Sequence, residues 1–189
     1  MQYERRILSM PFEVRAPERD GTIGVLRRRA IVFNAPSEDL GGFIEMIDPD
    51  SCTQAMRDFP DIRCFWNHDT SNLLGRTTAD TLRLFLTREG LDYEVDLPDT
   101  QAGRDVKVLA ERGDLRESSF GFDTAEDGDE WTRRDDGMRL RRVTRISRLY
   151  EVSPVSIPAY PQTANALRSL ERWEASTRRR HFTTMAPMR

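Results

Sequence analysis

Leu115-Arg116-Glu117-Ser118-Ser119-Phe120-Gly121-Phe122 is the stretch from which the rest of the chain is read. Its second half alternates, so Ser119 and Gly121 share one side of an extended strand while Phe120 and Phe122 share the other. Two aromatics turned into a core would hold such a strand rigidly. The opposite side then offers a hydroxyl beside a residue with no side chain, which leaves room for another backbone. Ser118 falls on the aromatic side, so Ser119 is the hydroxyl turned away from the core; a bulge would exchange the two. Just upstream, Pro98-Asp99-Thr100 starts a helix with Val106, Leu109 and Ala110 on its inner stripe. Gly113 ends that helix where a left-handed residue is wanted.

Outward from this junction the chain reads mostly as strands. Tyr3 to Val14, Thr22 to Asn34, Phe43 to Ile47 and Ile62 to Trp66 carry β-branched and apolar residues between turn signals. Asn72 to Leu86 reads as strand, turn and strand, with Leu82, Leu84 and Leu86 on one face. Leu91 to Leu97 alternates cleanly, which predicts a half-buried strand whose acids Asp92, Glu94 and Asp96 face water. Asp48-Pro49 predicts a helix running to Asp58. Asp135-Asp136-Gly137 predicts a tight turn between two strands, and Val143 to Ile157 reads as strands interrupted by Pro154. Thr163 caps a short helix with Leu167, Leu170 and Trp173 on one side, and the basic stretch from Ser176 to Arg189 reads as irregular. The expectation is a mostly-β (α+β) domain, barrel or sandwich, with helices packed outside.

At 189 residues, 38% hydrophobic and 32% charged, the chain has the balance of one globular domain. It is slightly acidic, with a net charge of −3, which argues against a specific nucleic-acid partner. Arginine clusters at Arg27-Arg28-Arg29, Arg133-Arg134, Arg139 to Arg142 and Arg178-Arg179-Arg180, and Lys107 is the sole lysine. No apolar run approaches the roughly 20 residues that span a bilayer. Cys52 and Cys64 form no CxxC pair, so the reading is two ordinary thiols in a reducing cytoplasm rather than a disulfide or a zinc site.

The two histidines filter the chemistry. His181 sits in the basic tail, so any mechanism needing a neutral imidazole must use His68, in Trp66-Asn67-His68-Asp69. Glu151 lies among Leu149, Tyr150, Val152 and Val155, and a carboxylate in such apolar company needs a partner. A glutamate accepting from a histidine ring N–H fixes the tautomer and stabilises an imidazolium. His68, Ser119 and Glu151 thus form one candidate catalytic set, and one usable histidine with this spacing matches no zinc site. The pair Glu94 and Asp96 is the weaker choice for paired-acid chemistry, because both sit on the expected wet face of a strand.

Taken together and in order, Trp66-Asn67-His68-Asp69, Leu74-Gly75-Arg76-Thr77, Gly113 to Phe122 and Tyr150-Glu151-Val152-Ser153-Pro154-Val155-Ser156-Ile157-Pro158-Ala159-Tyr160 resemble the prohead proteases of tailed bacteriophages. These capsid-maturation enzymes are similar in fold to herpesvirus assemblin. The resemblance spans about Glu4 to Leu170. It implies a β-barrel surrounded by a few helices, and a serine endopeptidase with His68 as base and Ser119 as nucleophile, using no metal and no cofactor. Herpesvirus members use a second histidine as third triad member, and this chain has none to spare; Glu151 is the candidate there, with Asp69 behind it. Backbone amides near Gly121 would hold the oxyanion, assisted by Arg116 or an arginine of Arg139 to Arg142.

The resemblance further implies substrates, namely scaffold protein and major capsid protein, and a place of action inside the immature prohead in the host cytoplasm. It also implies self-association, with no membrane partner. Self-processing after Pro161 would divide the chain into a protease domain, 1–161, and a flexible C-terminal segment, 162–189. The alternative from a different class is a non-catalytic capsid- or scaffold-binding module with the same barrel.

Overall fold

The structure, a computed structural model, describes residues 3–156 and 164–184. Twelve strands in these residues form three sheets. The first has five strands in the order β1 (Glu4–Ser9), β9 (Glu117–Thr124), β12 (Ile146–Val155), β5 (Arg63–Trp66) and β6 (Asp69–Arg76). The second has four: β2 (Glu13–Arg15), β3 (Thr22–Val32), β8 (Gly90–Pro98) and β7 (Leu82–Leu86). The third joins β10 (Asp129–Arg133), β11 (Arg139–Val143) and β4 (Phe43–Ile47). The mostly-β expectation holds, but the sheets do not close into a barrel. A bridge between Phe33 and Ile47, just past the end of β3, links sheets two and three.

One core lies between the first two sheets. Phe120, Phe122, Leu149, Val152, Cys64 and Leu74 face Leu26, Leu82, Leu91, Tyr93, Val95 and Leu97, all of them buried. Cys52 and Cys64 are free, buried thiols, and burial raises the Cys52 thiol to about 11. Helix α2 (Gln101–Arg112) begins as the sequence predicts: Thr100 caps it by accepting from the Gly103 amide, and Gly113 ends it at φ 79°. It turns Gly103, Val106 and Ala110 inward.

Several expectations need correction. Helix α1 (Thr53–Asp58) starts later than Asp48-Pro49 suggests, because residues around Asp50 make turns first. Strand β12 runs straight through Pro154. Pro154 lacks only an N–H, and its carbonyl remains useful: it accepts from the Asn67 amide. Helix α3 (Ala164–Thr184) is longer than the short helix expected and takes in much of the stretch read as irregular. Its Ala166, Leu167, Leu170 and Trp173 pack on Leu40, Phe43 and Trp131. Pro161 and the side chain of His181 lie outside the described residues.

The acids of β8 do not face water. Asp96 is 2% exposed and is gripped by Arg83 through two 2.8 Å bonds, Asp92 meets Arg29 at 2.7 Å, and Glu94 pairs with Arg15. Alternation did turn them away from the core, but arginines from β2, β3 and β7 lie over them. Long aliphatic stems cover that face while each guanidinium bonds a carboxylate, that of Arg83 through two nitrogens at once. Single-residue alternation carries no information about what neighbouring strands lay across a face.

Candidate active site

Strand β9 separates its two serines as its alternation requires. Ser118 turns inward and shares a 3.1 Å hydrogen bond with the buried Tyr93 hydroxyl. Ser119 faces the other way; it is fully buried, and its Oγ has no hydrogen-bond partner. Gly121, on the same side as Ser119, is needed for space. A Cβ there would stand 2.3 Å from the Tyr3 ring and 3.0 Å from Cγ of Glu151. The face that carries Ser119 is therefore the face that carries Glu151.

Glu151 reaches that face because β12 bulges. Leu149 pairs with Phe122 and Val152 with Phe120, all in the core, while Glu151 pairs with Gly121. The register slips by one residue between Leu149 and Glu151. Without the extra residue, Tyr150, strict alternation would turn Glu151 inward with Leu149. Tyr150 instead stacks on Tyr3, with ring centroids 4.7 Å apart.

The Glu151 carboxylate, fully buried, accepts from three elements. His68 Nδ1 lies 2.8 Å from Oε1, the Tyr3 hydroxyl donates to the same oxygen at 2.5 Å, and Ser153 Oγ donates to Oε2 at 2.6 Å. Arg5 Nε stands 3.6 Å from Oε1. Burial by itself would raise this carboxyl, but the donors led by His68 outweigh it and hold Glu151 below its ordinary range. An ionised carboxylate is acceptor-only, so the hydrogen between it and His68 belongs to Nδ1. In a neutral imidazole the lone pair would then sit on Nε2, which is buried with no partner.

His68 is aimed by its turn. Asn67 and His68 both have left-handed backbones, φ 56° and 61°, in the tight connection between β5 and β6. Two consecutive left-handed residues make the turn that matches the twist of flanking strands. Asn67 clamps it to the end of β12: its amide donates to the Pro154 carbonyl, and its Oδ1 accepts from the Ser156 amide at 2.7 Å. β5 runs parallel to β12 with Arg63 opposite Glu151, and Ser153 pairs with Ser119. Carried one step on, that register sets Phe65 level with Ser119 and the turn just beyond it along the sheet, with β12 between β5 and β9. By ordinary strand spacing β5 and β9 are about 10 Å apart, and Ser119 Oγ and His68 Nε2 do not hydrogen-bond each other.

Of the other residues singled out in the sequence, none joins this cluster. Asp69 is exposed and bonds Ser71 and Asn72 within its own hairpin. Arg116 is exposed and turned back on the Gly113 carbonyl at 3.0 Å. Arg141 is buried among Glu4, Glu45 and Asp129. The amides of β9 are flanked by β1 and β12 and serve those ladders, which speaks against Gly121 as an oxyanion donor. Sequence reasoning missed Tyr3, Arg5, Ser153 and Asn67. Only Ser153 left a signal, two residues from Glu151 on one strand; Tyr3 and Arg5 arrive through β1, far away in the chain.

The arrangement is a hydroxyl without a partner, an imidazole with one free nitrogen, and a buried carboxylate bonded to the other nitrogen. The structure joins His68 to Glu151 but does not hydrogen-bond Ser119 to His68; proton transfer from oxygen to nitrogen needs those two brought within hydrogen-bond reach. The bacteriophage T4 capsid assembly protease, gp21, is a similar solved structure: 12% identity, TM-score 0.47, with 82% of this chain and 98% of that one covered. No curated protein sequence matches the chain. The sequence profile of the Caudovirus prohead serine proteases matches residues 10–176, nearly the whole chain, and the chain belongs to that family.

Proposed function

We propose that the chain is a serine endopeptidase of phage head maturation in which Ser119 attacks, His68 is the general base and Glu151 orients His68. The observation that carries this reading is the 2.8 Å bond from His68 Nδ1 to Glu151, a carboxylate on the strand face that carries Ser119, with Nε2 left without a partner. In the reaction, Nε2 takes the Ser119 proton as Oγ adds to a peptide carbonyl. Glu151 stabilises the imidazolium through Nδ1–H. The imidazolium then protonates the leaving amine, and water repeats the cycle on the acyl-enzyme. Because Ser119 is wholly buried, a peptide reaches it only after the cover of that face moves.

The substrates proposed are scaffold and major capsid proteins inside the immature prohead, together with the chain's own segment after Pro161. Family membership supports proteolysis there, and the depleted lysine and acidic balance of the chain oppose none of it. The burial of Ser119 favours one second reading, a capsid-binding module that keeps the fold without chemistry. Co-expression with the capsid operon and intact-mass spectrometry separates the two. Processed products with wild type, absent with Ser119→Ala and with His68→Ala, are expected; identical processing in both variants would sink the protease assignment.

A further inference from the structure

The carboxylate that holds His68 is itself held from the far edge of the sheet. Tyr3 precedes β1, the edge strand opposite β6, and both lie outside the residues that match the family profile. Its hydroxyl and His68 Nδ1 converge on one oxygen, Glu151 Oε1. Its ring is fixed on two sides, over Gly121 and against Tyr150. We propose that Tyr3 is a positioning residue of this site, through which the N-terminal strand sets how much of the Glu151 charge His68 receives. This rests on the triad reading above and adds an element to it.

The physical effect follows from sharing. A carboxylate oxygen that already accepts a phenol hydrogen has less negative charge to offer a second donor. The phenol remains a donor at neutral pH, since burial and the neighbouring Glu151 carboxylate push Tyr3 above its ordinary value. The other groups facing Glu151 are few. They are Arg5 on β1 and Ser153 on β12, with the Cys64 thiol behind on β5; Arg63, opposite in register, is turned to Asp61. Arg5 also donates to the Tyr3 hydroxyl at 3.2 Å, so the phenol oxygen is oriented rather than free to rotate. Removing the Tyr3 hydroxyl therefore strengthens the bond from His68 to Glu151 and favours the imidazolium.

The test is Tyr3→Phe in the full chain, which keeps the ring over Gly121. Tyr150→Phe serves as control, because the Tyr150 hydroxyl bonds Asp123 rather than Glu151. Proton NMR of the ring N–H of His68 gives a readout that needs no catalysis. Tyr3→Phe is expected to move that resonance downfield and to shift the acid limb of kcat/KM toward higher pH, with Tyr150→Phe moving neither. An unmoved resonance in Tyr3→Phe, an upfield move, or equal moves in the two variants would each overturn the proposal. A downfield move in a protein that cleaves nothing would uphold the role of Tyr3 and remove the protease reading instead.

Discussion

Ser118 and Ser119 are neighbours in the chain with opposite situations: the first shares a 3.1 Å bond with Tyr93 in the core, the second has a buried Oγ with no partner. An unsatisfied buried hydroxyl costs stability, about 1–3 kcal/mol by general experience. Ser119→Ala should therefore leave the urea midpoint unchanged or raise it while abolishing cleavage. Ser118→Ala orphans the Tyr93 hydroxyl and should lose about 1–2 kcal/mol. Equal destabilisation of the two variants in urea titrations would contradict this division of roles.

Gly121 has no room for a methyl group, since a Cβ would meet the Tyr3 ring at 2.3 Å and Glu151 Cγ at 3.0 Å. Gly121→Ala should cost about 1–3 kcal/mol as an overpacked site. Tyr3→Ala on that background should recover part of the loss, a non-additivity expected of groups in contact. Chemical denaturation of the two single variants and the double variant measures it; strict additivity would place Tyr3 elsewhere.

Acid should destabilise the fold through Glu151 and Glu4, both held below the carboxyl's ordinary 4.5 despite burial, by donors led by His68 in one case and Arg141 in the other. Carboxyls lowered in the folded state add stability that is fully present above about pH 4.5 and is lost as pH falls through their folded values. Thermal midpoints should accordingly hold from pH 7 to about pH 5 and then drop. Glu151→Gln should flatten that acid slope, and a slope identical to wild type would show that Glu151 is not one of its sources.

Arg141, 1% exposed, bonds Glu4 at 2.6 Å, Glu45 at 2.8 Å and Asp129 at 2.7 Å, tying β11 to β1, β4 and β10. Arg6 adds a second cation to the same acids, 2.8 Å from Glu4 and 2.7 Å from Glu45. Arg141→Met leaves these buried acids short of charge and should lose about 3–5 kcal/mol. A loss under 1 kcal/mol in equilibrium unfolding would mean that the acids find water or other donors.

Periodicity and turn chemistry, which act over a few residues, made much of this protein legible in its sequence. The alternation of Ser119 to Phe122 faced Ser119 away from the core, the Thr100 and Gly113 caps bounded α2, and Asp136-Gly137 marked the hairpin between β10 and β11. Scarcity did the rest, since only His68 could serve as a base outside the tail. What the sequence could not carry was anything set by strands meeting across the fold. The bulge at Tyr150 that turns Glu151 toward His68, the arginines laid over the β8 acids, and Tyr3 arriving from β1 each depend on register between segments far apart in the chain. Local residue types decide which way a strand alternates; only the pairing of distant strands decides what each face meets.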